Sequence, residues 1–80
     1  MKYVVIGTPM CGYCRQSKAI LERKEADFEY LELSEIADEE QERLMKVAGK
    51  EFRSVPQIFT VEDEEWKYLG GHSELLVSLK

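Results

Sequence analysis

The stretch Lys2-Tyr3-Val4-Val5-Ile6-Gly7-Thr8-Pro9-Met10-Cys11-Gly12-Tyr13-Cys14 decides the fold. Lys2 to Ile6 is largely apolar and β-branched and does not alternate, which is the pattern of a strand buried on both faces. Gly7-Thr8-Pro9-Met10 breaks it. From Gly12 or Tyr13 to about Lys24, straight-chain helix formers dominate: Gln16, Lys18, Ala19, Leu21, Glu22 and Arg23. Cys11 and Cys14 therefore fall where a strand gives way to a helix.

Working outward, Phe28 to Leu33 reads as a second strand with partial alternation. Asp38 with Gln41 three places on has the form of a capping box. Leu44, Met45 and Ala48 follow at helical spacing, and Gly49 supplies a stop. Gln57 to Val61 is a third strand and Glu62 to Glu65 a turn. Trp66-Lys67-Tyr68 alternates as a fourth strand, broken by Gly70-Gly71. Ser73 caps a last helix carrying Leu75, Leu76 and Leu79. The order β-α-β-α-β-β-α belongs to the α/β class. The first β-α-β should be a right-handed parallel unit, and the last two strands, joined by a short turn, should be antiparallel. A mixed four-stranded sheet flanked by three helices on both faces results. With no linker, repeat or low-complexity segment, residues 1–80 read as one domain.

Composition narrows the function. Apolar residues make up 44% of the 80, which argues against disorder. The formal net charge of −5 repels polyphosphate, so nucleic acid is not an expected partner. The acidic runs, Glu35 to Glu40 and Glu62 to Glu65, read as a solvated helix start and a solvated turn. No apolar run approaches the ~20 residues needed to cross a bilayer. Tyr3 to Ile6 is too short for a signal-peptide core, so a cytoplasmic, membrane-free location is expected. Two cysteines are too few for a disulfide framework, and in a reducing compartment such a pair is redox-active or metal-binding.

The first amides of a helix lack partners, and the helix dipole adds partial positive charge there. A thiolate at that point is stabilised, so its reactive fraction at neutral pH rises. Cys11, at or before the first turn, gains most, while Cys14 lies one turn in and is the more buried. Residues three apart share a helix face, so the two sulfurs can close a disulfide. Cys11 then attacks a substrate disulfide, and Cys14 or an outside thiol resolves the intermediate. Arg15 and Lys18 either add favourable charge or are solvated surface cations. A structural zinc wants four ligands, and the chain offers two cysteines and His72, so no metal site is expected.

Four segments, in order, resemble the glutaredoxin family of the thioredoxin-like fold. They are Cys11-Gly12-Tyr13-Cys14 with Lys18, Ala48-Gly49-Lys50, Ser54-Val55-Pro56-Gln57-Ile58-Phe59, and Gly70-Gly71-His72-Ser73-Glu74-Leu75. The resemblance implies a small dithiol enzyme that reduces protein disulfides and glutathione mixed disulfides, with glutathione as reductant and no resident cofactor. It implies a cis Pro56 that presents the Val55 backbone to the cysteinyl part of glutathione. Gly71 would lead into the last helix, whose free amides, at His72 and Ser73, would hold the γ-glutamyl carboxylate; Arg53 would meet the glycyl carboxylate, and Tyr13 would line the groove. His72 reads as an exposed turn residue whose backbone matters. Expected partners are glutathione and disulfide-containing proteins, with ribonucleotide reductase a family expectation, and the chain is expected to act as a monomer.

Three positions depart from the family pattern. Gly12 stands in place of the commonest proline, Thr8 in place of a frequent Lys or Arg, and Ser54 in place of threonine. Loss of the cation at position 8 should weaken glutathione binding a few-fold, since an exposed ion pair is worth ~0.2–1 kcal/mol. Gly12 loosens the turn and opens room above Cys11. Two alternatives follow. One is a glutaredoxin-like donor to ribonucleotide reductase recharged by thioredoxin reductase. The other is a [2Fe–2S] carrier, because some relatives lacking that proline hold a cluster between two subunits with glutathione as co-ligand.

Overall fold

The structure is a computed structural model, and it describes residues 1–52 and 54–79. The elements are β1 (Lys2–Gly7), α1 (Gly12–Arg23), β2 (Phe28–Glu32), a 3₁₀ turn (Leu33–Glu35), α2 (Asp38–Ala48), β3 (Gln57–Glu62), β4 (Glu65–Gly70) and α3 (His72–Ser78). The sheet order is β2-β1-β3-β4. β1 pairs with β2 in parallel and with β3 antiparallel, and β3 pairs with β4 antiparallel. This is the mixed four-stranded, three-helix arrangement that the sequence predicts.

β1 is central, and its unbroken apolar run serves two cores. Tyr3 and Val5 join Leu21 of α1, Ile58 and Leu75 of α3 on one face. Val4 and Ile6 join Leu44 of α2 and Phe59 on the other. Phe59 anchors the second core with edge-on contacts to Phe52 and Tyr68 and a tilted contact to Trp66. Its complete burial makes it the largest enclosed side chain.

Three sequence expectations are corrected. Asp38 is not the N-cap of α2, a place taken by Ala37 without any side-chain cap bond. Gln41 instead donates to the carbonyls of Leu33 and Ile36, closing the 3₁₀ turn that enters the helix. The fourth strand runs on to Gly70, because a register shift at Ile58/Phe59 lets Gly70 pair with Ile58. α3 begins one residue before Ser73, with Gly71 as its N-cap. Gly49 does stop α2, in the left-handed region at φ 76°.

The β3–β4 hairpin turns on Asp63 and Glu64, both at positive φ, 52° and 67°. A two-residue turn of this kind favours Asn-Gly or Asp-Gly, and Glu64 sits where glycine fits best. Relief of about 1–2 kcal/mol of left-handed strain, less about 0.5–1 kcal/mol of added chain entropy, leaves a net gain of about 0.5–1 kcal/mol for Glu64→Gly. The urea midpoint of this variant should therefore rise, and a fall would contradict the turn assignment.

Candidate active site

β1 delivers the chain to the start of α1 at Gly7, and the side chain of Cys11 caps the helix. Cys11 is extended (φ −93°, ψ 115°), and its Sγ accepts the Cys14 amide N–H at 3.2 Å. A sulfur thus fills the place where Ser, Thr, Asp or Asn commonly sits. The Cys11 amide donates to the Thr8 carbonyl at 3.3 Å, which closes the turn between strand and helix. Both cysteines are free thiols. Cys11 is half-buried and Cys14 fully buried.

Burial pushes the Cys14 thiol up to about 11, reinforced by its hydrogen bond to the Cys11 side chain. The Thr8 backbone acts in the opposite sense. The space for the Cys14 sulfur is left by Gly7. A Cβ there would lie 2.5 Å from Sγ and 2.8 Å from the Tyr30 hydroxyl.

Cys11 faces a second backbone. Its thiol donates to the Val55 carbonyl at 3.5 Å, and the Val55–Pro56 peptide is cis. The loop before β3 is held from behind by a buried relay. Tyr68 donates to Gln57 Oε1 at 2.6 Å, and Gln57 Nε2 donates to the Ser54 carbonyl at 2.7 Å.

Beside Cys11 an open groove of about 230 Å³ is lined by Tyr13 from α1, Ser54, Val55 and Pro56 from the loop, and Gly71 to Glu74 at the start of α3. Of the residues expected to contact glutathione, Tyr13, Val55, Pro56, Gly71, His72 and Ser73 share this groove. Arg53 lies outside the described residues. Arg15 and Lys18 are both exposed. Arg15 donates to the Pro9 carbonyl, and the Lys18 ammonium lies 5.6 Å from the centre of the Tyr30 ring. A Cβ at Gly12 would meet nothing, so the turn above Cys11 is open.

A family model described as glutaredoxin matches residues 3–66. The chain belongs to the glutaredoxin family. It is similar to glutaredoxin 1 of Rickettsia conorii, 38% identical over 56 residues, which cover 70% of this chain and 54% of that protein. The chain spans about half the length of the curated relatives it matches. Among solved structures, reduced Escherichia coli glutaredoxin superposes with a TM-score of 0.72 at 29% identity, covering 99% of this chain and 93% of that one. A buckwheat glutaredoxin–glutathione complex gives a TM-score of 0.72 at 26% identity, covering 96% and 66%.

Three features of the site go beyond the sequence expectations. The expectation that His72 is an exposed turn residue is corrected. Its ring is half-buried, its Nδ1 lies 2.8 Å from Ser17 Oγ, and its centre is 5.5 Å from that of Tyr13. Glu74 reaches back so that its Oε1 accepts the Gly71 amide at 2.6 Å; glutamate three residues after the helix N-cap was the available signal. Tyr30 bonds the Thr8 carbonyl at 3.4 Å, next to the buried thiol. Its own hydroxyl is pushed up by burial and by Cys14.

Two outcomes follow. Iodoacetamide at neutral pH should label Cys11 and spare Cys14 in the folded protein. With Cys11→Ser, labelling of Cys14 should stay slow until strongly alkaline pH, as read by mass spectrometry. Gly7→Ala should destabilise the reduced protein by about 1–3 kcal/mol, as overpacking at a tight backbone site does, measured by urea unfolding.

Proposed function

We propose that this chain is a glutathione-dependent thiol–disulfide oxidoreductase acting on protein disulfides and glutathione mixed disulfides. The observation that carries the reading is the pair of thiols of unequal exposure beside a groove walled by the cis Val55–Pro56 loop and the start of α3.

In the first step the Cys11 thiolate attacks a substrate disulfide. A bond forms between the Cys11 sulfur and one substrate sulfur, and the other leaves as a thiolate that takes up a proton. In the second step one of two thiols breaks that mixed disulfide. Where the sulfur held by Cys11 is that of glutathione, a second glutathione attacks it from outside, yielding glutathione disulfide and free Cys11. Alternatively Cys14 loses its proton and bonds to Cys11, releasing the second substrate thiol. Two further glutathione molecules then reduce the Cys11–Cys14 bridge and leave as glutathione disulfide, so the electrons balance.

The groove supplies orientation. The Val55 backbone would pair with the cysteinyl unit of glutathione, and the amides of His72 and Ser73 would face a carboxylate. Gly71 N–H is already held by Glu74. Tyr13 and Pro56 form walls, and Arg53 carries the role that the family pattern gives it. The reading includes cytoplasmic action as a monomer on disulfide-containing proteins, with ribonucleotide reductase as one candidate. Among the described residues no helix is long and apolar enough to cross a membrane.

Cys11→Ser should abolish turnover of a glutathione mixed disulfide in a glutathione reductase-coupled assay. Cys14→Ser should retain it, because glutathione alone resolves that intermediate, while losing reduction of protein disulfides that depends on the second thiol. Turnover with thioredoxin reductase but not with glutathione would reassign the electron source. Loss in Cys14→Ser with retention in Cys11→Ser would reverse the two roles.

A further inference from the structure

Ser17 and His72 are the polar pair at the site that the steps above leave unused. Ser17 lies inside α1, fully buried, one turn beyond Cys14. A buried hydroxyl needs an acceptor for its proton. Among the described residues the partner shown for Ser17 Oγ is His72 Nδ1, at 2.8 Å. If the ring carried its proton on Nδ1 alone, the Ser17 O–H would have no acceptor. With Ser17 donating to Nδ1, the ring proton of neutral His72 sits on Nε2. In an imidazolium both nitrogens carry protons, and Nδ1–H donates to Oγ instead. In either state Nε2 is a donor, and it lies on the side of the ring away from the buried serine. His72 lines the groove beside Tyr13, and among the described residues Nε2 has no protein partner.

We infer that Ser17 is a positioning residue that sets His72 Nε2–H as a groove donor to a carboxylate of the bound thiol peptide. This rests on the glutathione-dependent reading and adds a side-chain contact to the backbone amides assigned there. Backbone amides alone would be indifferent to the residue at position 72, whereas a pinned imidazole makes the groove depend on α1 as well as α3.

The test uses the whole chain, a glutathione mixed disulfide as substrate, and S-methylglutathione as a non-reacting probe. Ser17→Ala should raise KM about tenfold with kcat within about twofold, the size expected for losing one hydrogen bond to a charged group. His72→Asn keeps a hydrogen-bonding atom near the Nδ1 position and removes Nε2, so it should match Ser17→Ala. His72 is the single histidine of the chain, so its ring nitrogens give unambiguous ¹⁵N resonances. Addition of S-methylglutathione should move Nε2 and leave Nδ1 in place, and Ser17→Ala should abolish that response. A wild-type KM in His72→Asn would reduce the pair to a clasp between helices and overturn the contact. An unmoved Nε2, or a wild-type KM in Ser17→Ala, would overturn the positioning role. If the unsubstituted protein fails to turn over the mixed disulfide at all, the glutathione reading itself fails, a result distinct from these.

Discussion

The amide of Cys14 donates to the sulfur of Cys11, and the rest of the site follows from that bond. It makes a cysteine the cap of α1, which fixes the sulfur at the mouth of the helix. It also sets Cys14 one turn in, against β1, where the lack of a side chain at Gly7 leaves space for a second sulfur. The same geometry that satisfies a helix end therefore brings two thiols together with opposite surroundings. One meets the Val55 carbonyl and solvent, and the other meets only protein. Capping and redox pairing are one local structure.

That structure holds only because β1 cannot shift. Its side chains are divided between two cores, Tyr3 and Val5 toward α1 and α3, Val4 and Ile6 toward α2. A slip of one residue would exchange the two sets and misplace both. β1 also pairs with β2 on one side and β3 on the other, so the end of β1 and the start of β3 lie together. The Ile6↔Gln57 pairing sets the Val55–Pro56 loop beside Cys11. The register of one strand thus determines which backbone the reactive sulfur meets.

This explains what could be read from the sequence. The unalternated run from Tyr3 to Ile6, the helix formers after Gly12 and the stop at Gly49 are local signals, and each element appears where they place it. The capping motif at Asp38 failed because Gln41 found the carbonyls of a preceding 3₁₀ turn, which no spacing rule announces. The fourth strand reads short in the sequence because its last pair, Gly70 with Ile58, depends on a register shift in its neighbour. The groove was legible only through the family resemblance, since its walls come from α1, a loop and α3. The bond between Ser17 and His72, 55 residues apart, left no trace in either local pattern. A serine amid helix formers and a histidine in a glycine turn each look ordinary alone.

The electrostatics of the groove join these observations. Among the described residues, the N–H groups that the groove presents are those at the start of α3 and on the ring of His72. Glu74 already occupies one of those N–H groups, at Gly71, which leaves the amides farther along the turn for a ligand. Recognition through directional N–H donors, in the reading proposed above, selects a peptide by the placement of its carboxylates. It also ties selection to the rigidity of α1 and α3, the two helices packed on the same face of the sheet as Tyr3 and Val5. The core that fixes β1 thereby fixes the groove as well.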